Sequence, residues 1–235
     1  MKSKRVDLWE TPVFFVENPE HEKIYEGLCN FIYEQEAKQS TSIDSNVAPH
    51  LKRNLSESRF DFLDRDNKHV QKLSHFIEEA ALEHISDLNR NQWERKYSSV
   101  RPVIDIYESW YHVTSTGGHH GVHAHPGCSW CGIYYVDVGD RMKPSFRNQT
   151  YSCFDESLYK TAGGKNRFYS PFNVNYYDPG MDWFMTNDTY APEPVNGLFI
   201  LFPSYLMHCG EIYLGDKKRV LIAMNMKVEL INETI

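Results

Sequence analysis

No run of apolar residues in this 235-residue sequence is long enough to cross a bilayer. The start, Met1-Lys2-Ser3-Lys4-Arg5, is basic, but only the four-residue stretch Val13-Phe14-Phe15-Val16 follows it, too short for a secretory leader. A cytoplasmic location is therefore expected, without a membrane partner. Basic charge is also scarce. There are 25 Lys and Arg against 32 Asp and Glu, a formal net charge of −7. That argues against the strongly basic face of a protein that grips a phosphate backbone, so nucleic acid is not an expected partner. Five cysteines, an odd number, do not form a disulfide framework. Repeats and low-complexity tracts are lacking too. What remains, 41% hydrophobic and 24% charged residues, is the composition of an ordinary globular protein, and the length suits a single domain spanning 1–235.

Two helices are expected early. Asn18-Pro19 opens the first, with a capping side chain followed by proline at the first helical position, and Ile24, Leu28, Phe31 and Gln35 mark one face up to about Gln39. The second runs from about Asn67 to Asn89, with Val70, Leu73, Ile77, Ala81, Ile85 and Leu88 on one stripe. Residues 40–66 between them read as polar and irregular. From residue 102 the pattern turns to β. Val103–Tyr111, Ile133–Val138, Asn173–Tyr177, Leu198–Phe202 and Arg219–Leu230 are rich in β-branched and aromatic residues, with Gly and Pro between them. Helices followed by many short strands predict a mainly β fold, a jelly roll (double-stranded β-helix) at about 101–235 with the helical part, about 1–100, packed on one sheet. Residues 139–195 read as a long aromatic insertion, expected to act as an ordered lid or substrate wall.

One constellation carries chemistry. His123-Ala124-His125-Pro126 places two imidazoles at i and i+2, which share a face of an extended strand and can reach one metal. His208 follows the apolar strand Leu198–Phe202, and Arg219 lies eleven residues beyond it. Imidazoles on one face of an iron leave other positions open for oxygen and a chelating cosubstrate, and a guanidinium is the planar fork that grips a carboxylate. A two-His, two-Cys zinc site from His123, His125, Cys128 and Cys131 competes, but it leaves His208 and Arg219 without a purpose. A thioredoxin-like role for Cys128-Ser129-Trp130-Cys131 lacks the βαβ pattern such a role needs. His119 and His120, set among glycines, read as residues of a solvated loop.

These residues resemble the 2-oxoglutarate and Fe(II)-dependent oxygenases, and most closely a bacterial and phage group with the signature H-x-H-P then S-G-x-Y-Y-V. Here the runs are His123-Ala124-His125-Pro126 and Cys131-Gly132-Ile133-Tyr134-Tyr135-Val136. The group's C-terminal element, F-P-S, then His, then Arg with Asn six residues on, stands here as Phe202-Pro203-Ser204, His208, Arg219 and Asn225, and the upstream Trp110 fits as well. The resemblance covers roughly residues 103–228. It implies a jelly-roll enzyme, most simply a hydroxylase, that uses Fe(II), O2 and 2-oxoglutarate on a small metabolite, an amino acid or a peptidyl side chain. It implies His123, His125 and His208 as metal ligands. Arg219 and Tyr135 would hold the distal carboxylate of 2-oxoglutarate, with Tyr111 and Asn225 also counted in that pocket. His125 stands where many relatives carry a carboxylate ligand. Either the site uses three histidines, or His125 turns away and vacates a position that a halide could fill, as in the related halogenases. Leu221 replaces the Ser or Thr common two residues after the arginine. Two alternatives remain open: a three-histidine dioxygenase that uses no 2-oxoglutarate, and a non-catalytic metal-binding jelly roll.

Overall fold

The computed structural model describes residues 10–39, 51–97, 100–140, 163–172, 179 and 189–232. Helix α1 (His21–Gln39) starts where Asn18 predicts: the Asn18 side chain accepts from the Glu20 backbone N–H at 2.9 Å. Helix α2 (Lys68–Lys96) is capped by Asn67, whose side chain accepts from the N–H groups of His69 and Val70, and it extends past the expected end at Asn89. Ile24, Leu28, Cys29 and Ile32 of α1 are buried, as are Val70, Leu73, Ile77, Ala81 and Ile85 of α2. Each large side chain among them contributes about 1.5–3 kcal/mol through burial. Leu88, placed on the same stripe by its spacing, is exposed.

The strands are β1 (Phe14–Glu17), β2 (Lys52–Glu57), β3 (Val100–His123), β4 (Trp130–Asp137), β5 (Asn166–Tyr169), β6 (Thr189–Tyr190), β7 (Leu198–Pro203), β8 (His208–Tyr213) and β9 (Arg219–Asn232). They form one antiparallel sheet in the order β1-β7-β4-β9-β3-β8-β5-β6, with β2 also paired to β3. Strand β3 is the hinge of the arrangement. Its residues 100–114 pair with β9, whereas Gly118–His123 pair with β8, with register shifts around His120. The sheet therefore curls onto itself, as a jelly roll requires.

Side-chain alternation divides β4, β7 and β9 between two cores. Tyr134, Phe199, Leu201, Ile222 and Met224 meet the helices. Ile133, Tyr135, Ile200, Phe202, Leu221 and Ala223 fill the interior of the curl, where Trp110 and Phe168 join them. Gly132 lets β4, β7 and β9 pack closely, since a Cβ there would lie 2.6 Å from the Phe199 ring.

Three expectations need correction. Residues 52–57, read as irregular, form β2, antiparallel to β3, with the buried Glu57 side chain paired to Lys52 of its own strand and in contact with His112 of β3. His119 and His120 belong to β3 and not to a loop, since the glycines around them are absorbed by the register shifts. The span 139–195 is not simply an insertion: β5 pairs with β8 and β6 with β5, so part of it completes the sheet. The expected strand Asn173–Tyr177 lies outside the described residues, as does much of the expected lid.

Candidate metal centre and cosubstrate pocket

The end of β3 and the start of β8 are register partners, His123 opposite His208, and His125 follows two residues beyond His123. The backbone N–H of His125 donates to the Ser204 carbonyl at 3.2 Å, which ties the segment after β3 to the end of β7. His123, His125 and His208 thereby converge, with one nitrogen from each lying within 4.8 Å of the others.

Each ring is fixed from behind. Nδ1 of His123 donates to the Gly121 carbonyl at 2.7 Å, and Nδ1 of His208 donates to the Leu206 carbonyl at 2.9 Å. Nδ1 of His125 donates to Oδ1 of Asn225 at 2.7 Å. With the proton on Nδ1, all three Nε2 atoms carry their lone pair, and hydrogen bonds of this kind are how proteins set the tautomer of metal-binding histidines. Nε2 of His125 is buried and has no hydrogen-bond partner among the described residues. Burial also keeps the rings neutral: His123 is pushed down to about 4 and His208 to about 3, burial being the main cause in both, and His125 is lowered for the same reason. Three neutral, convergent imidazole nitrogens with no competing partner fit a first-row transition metal.

A second group lies deeper in the curl. Arg219, at the start of β9, is 4% exposed and has its guanidinium 5.3 Å from the Tyr135 ring centre. Tyr135 OH donates to Oδ1 of Asn166 at 2.7 Å, and the Arg219 guanidinium donates to the same oxygen at 3.1 Å. Nε of Arg219 is buried without a partner among the described residues. Two donors already aimed at one oxygen, with an unsatisfied guanidinium N–H beside them, fit a carboxylate. His123, His125, His208, Asn166 and Arg219 line one shared cavity.

The other sequence-derived candidates fall elsewhere. Tyr111 is fully buried on the helix side of β3, edge-on to Phe62 at 5.4 Å, and does not line the cavity. Its neighbours Trp110 and His112 do line it, so alternation puts Tyr111 on the opposite face. Asn225 is engaged by His125, and its Nδ2 donates to Glu108 at 2.8 Å. Cys128 and Cys131 are not in the convergent set; their sulfurs face each other at 3.7 Å. Three features escaped the sequence reading. Asn166 sits on a four-residue strand with no periodic signal. His120 stacks on His123, centroids 3.9 Å apart. The third is a buried polar wall in which Glu57 accepts from Lys52 at 2.6 Å and lies 2.7 Å from Nε2 of His112.

A family model described as "Putative 2OG-Fe(II) oxygenase" matches residues 108–225, half of the chain. No curated protein sequence matches the chain. Among solved structures, HygX from Streptomyces hygroscopicus, determined with nickel, 2-oxoglutarate and hygromycin B bound, aligns with a TM-score of 0.54 and 10% identity over 92% of this chain and 83% of that one. A Pseudomonas putida prolyl-4-hydroxylase aligns with a TM-score of 0.48 and 12% identity over 91% and 92% of the two chains. At such identity the likeness to HygX is one of fold.

Proposed function

The chain belongs to the 2OG-Fe(II) oxygenase family, and on that footing we propose that His123, His125 and His208 hold the iron while Arg219, Tyr135 and Asn166 receive 2-oxoglutarate. The family assigns Fe(II) as cofactor and 2-oxoglutarate as cosubstrate, which sets aside the oxo-acid-free dioxygenase and the non-catalytic jelly roll. The observation that carries the residue assignment is the convergence of three ring nitrogens with their far sides pinned, above a buried guanidinium.

When bound, the iron supplies activation of O2 with electrons drawn from 2-oxoglutarate. The chain's own residues do the rest. Nδ1 of each histidine keeps its proton and donates it in a hydrogen bond to a neighbouring oxygen, so Nε2 remains the donor to the metal. Arg219 and Tyr135 turn from Asn166 Oδ1 to the distal carboxylate, which orients the cosubstrate along the cavity. Such a charge-assisted pair in a dry pocket is worth more than its solvent-exposed counterpart. Leu221, Ala223 and Phe202 supply apolar lining to that cavity. His125, held by Asn225 with its free nitrogen toward the cluster, supports a three-histidine site over one with a vacated position for halide.

The proposed substrate is a small metabolite, an amino acid or a peptidyl side chain with an apolar portion. Exposed Val122 and Met207 adjoin His123 and His208 in sequence, and exposed Tyr205 lies between β7 and β8. Anaerobically prepared protein loaded with Fe(II) and then given O2 and 2-oxoglutarate should form succinate, and His208→Ala should abolish that conversion. Succinate formation equal to that of a metal-free control would overturn the reading.

A further inference from the structure

We propose that Cys128 and Cys131 form a reversible disulfide that controls the iron site through Asn225. The control half of this rests on the reading of His125 as an iron ligand. The sulfurs lie 3.7 Å apart and both thiols are free. A disulfide needs about 2.05 Å, so an approach of about 1.7 Å closes the bond. The two residues differ in access. Cys128 is half-buried, in the segment between β3 and β4 where Gly127 adopts a positive φ of 83°. Cys131 is 1% exposed on β4, with its side facing the metal cavity.

Cys131 is also wired to the metal ligands. Its Sγ–H donates to Oδ1 of Asn225 at 3.5 Å, and that same oxygen receives Nδ1–H of His125 at 2.7 Å. Strand register builds this contact, since Cys131 lies directly opposite Asn225 across β4 and β9. Pulling the Cys131 sulfur toward Cys128 removes the S–H donor from Asn225 and shifts the wall against which the amide rests. The ring of His125 then loses part of its support.

The step balances with a hydroperoxide as oxidant. The Cys128 sulfur attacks the O–O bond, forming an S–O bond and releasing water (from hydrogen peroxide) or an alcohol. The Cys131 sulfur then attacks the Cys128 sulfur, forming S–S, breaking S–O and releasing water with the Cys131 proton. Two thiols lose two electrons and two protons; the peroxide gains them. A dithiol reductant reverses the change. No helix follows Cys131, which instead continues into β4, so this pair acts on its own chain and does not pass electrons on as a thioredoxin-like motif would.

The test uses the full-length, metal-free protein treated with stoichiometric hydrogen peroxide, followed by peptide mass mapping and anaerobic Fe(II) titration. The peptide that contains both cysteines should lose two hydrogens, and Fe(II) affinity should fall by about tenfold, the low end of the effect of disturbing a ligand's hydrogen-bond partner. Dithiothreitol should restore both. Cys128→Ser should bind Fe(II) as the reduced parent does and no longer respond to peroxide. A bridge from either residue to Cys153 or Cys209, no bridge at all, or unchanged Fe(II) affinity at full conversion would overturn the proposal. Absence of Fe(II) binding by the reduced parent overturns the functional reading, and the control with it, while the mass map alone still decides whether the pair forms.

Discussion

Asn225 holds His125 by the ring nitrogen that faces away from the cluster, Oδ1 to Nδ1 at 2.7 Å, while its Nδ2 donates to Glu108 at 2.8 Å. Strand register produces this relay: Asn225 on β9 lies opposite Glu108 on β3 and Cys131 on β4. Where many relatives have a carboxylate ligand, the proposed site has a carboxylate two hydrogen bonds from His125. The Glu108 side chain polarises the amide, and the amide polarises the imidazole, so some of a carboxylate's influence reaches His125 without an anionic ligand.

Removing that link should be felt at the metal and not in the fold. Asn225→Ala is expected to weaken anaerobic Fe(II) binding by about 10–100-fold, with a much smaller effect on 2-oxoglutarate bound in the presence of a saturating metal. Unchanged iron affinity would assign Asn225 a purely structural place.

Arg219 gives the opposite pattern. Its guanidinium is buried with one nitrogen that has no partner among the described residues, a group that the cosubstrate carboxylate would satisfy. Losing one side of a buried charge pair costs about 2–5 kcal/mol. Arg219→Ala should therefore weaken 2-oxoglutarate binding by roughly thirtyfold to several thousandfold while sparing Fe(II). Calorimetry with both ligands on one preparation separates the two effects. Asn166→Ala, which removes the oxygen now occupying the donors, should change 2-oxoglutarate affinity while leaving Fe(II) affinity alone.

Glu57 ties β2 to the cavity wall. Burial pushes its carboxyl upward, but its close contacts with His112 and Lys52 and the charge of Lys52 outweigh this and hold it below its ordinary value. His112 is lowered by burial, so the charge pair is Glu57 with Lys52. A carboxylate depressed in this way contributes stability that is complete above its unfolded pKa of about 4.3 and is lost as pH falls through the lower folded value. Glu57→Gln leaves Lys52 buried without its counter-charge, a loss of about 3–5 kcal/mol at neutral pH. Melting temperatures of parent and variant should differ widely at pH 7 and converge as pH falls through that lower folded value. A constant gap across that range would show that the pair is not what matters there.

How much of this was legible in the sequence varies with the kind of signal. His123 and His125 stood out because i and i+2 in extended chain lie on one side, although β3 ends at His123 and His125 lies just beyond it, and His208 stood out because it follows a run as apolar as Leu198–Phe202. Tyr111 was assigned to the pocket but faces the helices. Strand β3 is buried on both sides around Trp110, Tyr111, His112 and Val113, so polarity does not alternate there and the phase cannot be read. Residues 52–57 read as irregular because they are polar, and what buries Glu57 there is the pairing of β2 with β3, which lies far away in sequence. Asn166 belongs to a strand too short to show a period, and its meaning comes entirely from Arg219 and Tyr135, which lie far from it in sequence.

The relay behind His125 also sets what a conventional ligand would do in its place. His125→Ala removes one strong nitrogen donor and should lower Fe(II) affinity sharply; affinity equal to the parent's would rule out the three-histidine site. His125→Asp restores a two-histidine, one-carboxylate set, but Asn225 presents its acceptor Oδ1 at that point. Turning the amide over would aim Nδ2 at the new carboxylate and Oδ1 at the Glu108 carboxylate, exchanging one acceptor clash for another. Glu108→Gln supplies the missing donor. Anaerobic Fe(II) affinity should therefore rank parent above His125→Asp with Glu108→Gln, that double variant above His125→Asp, and His125→Asp above His125→Ala. If Glu108→Gln gives His125→Asp no advantage, the influence of Glu108 does not reach the metal through Asn225.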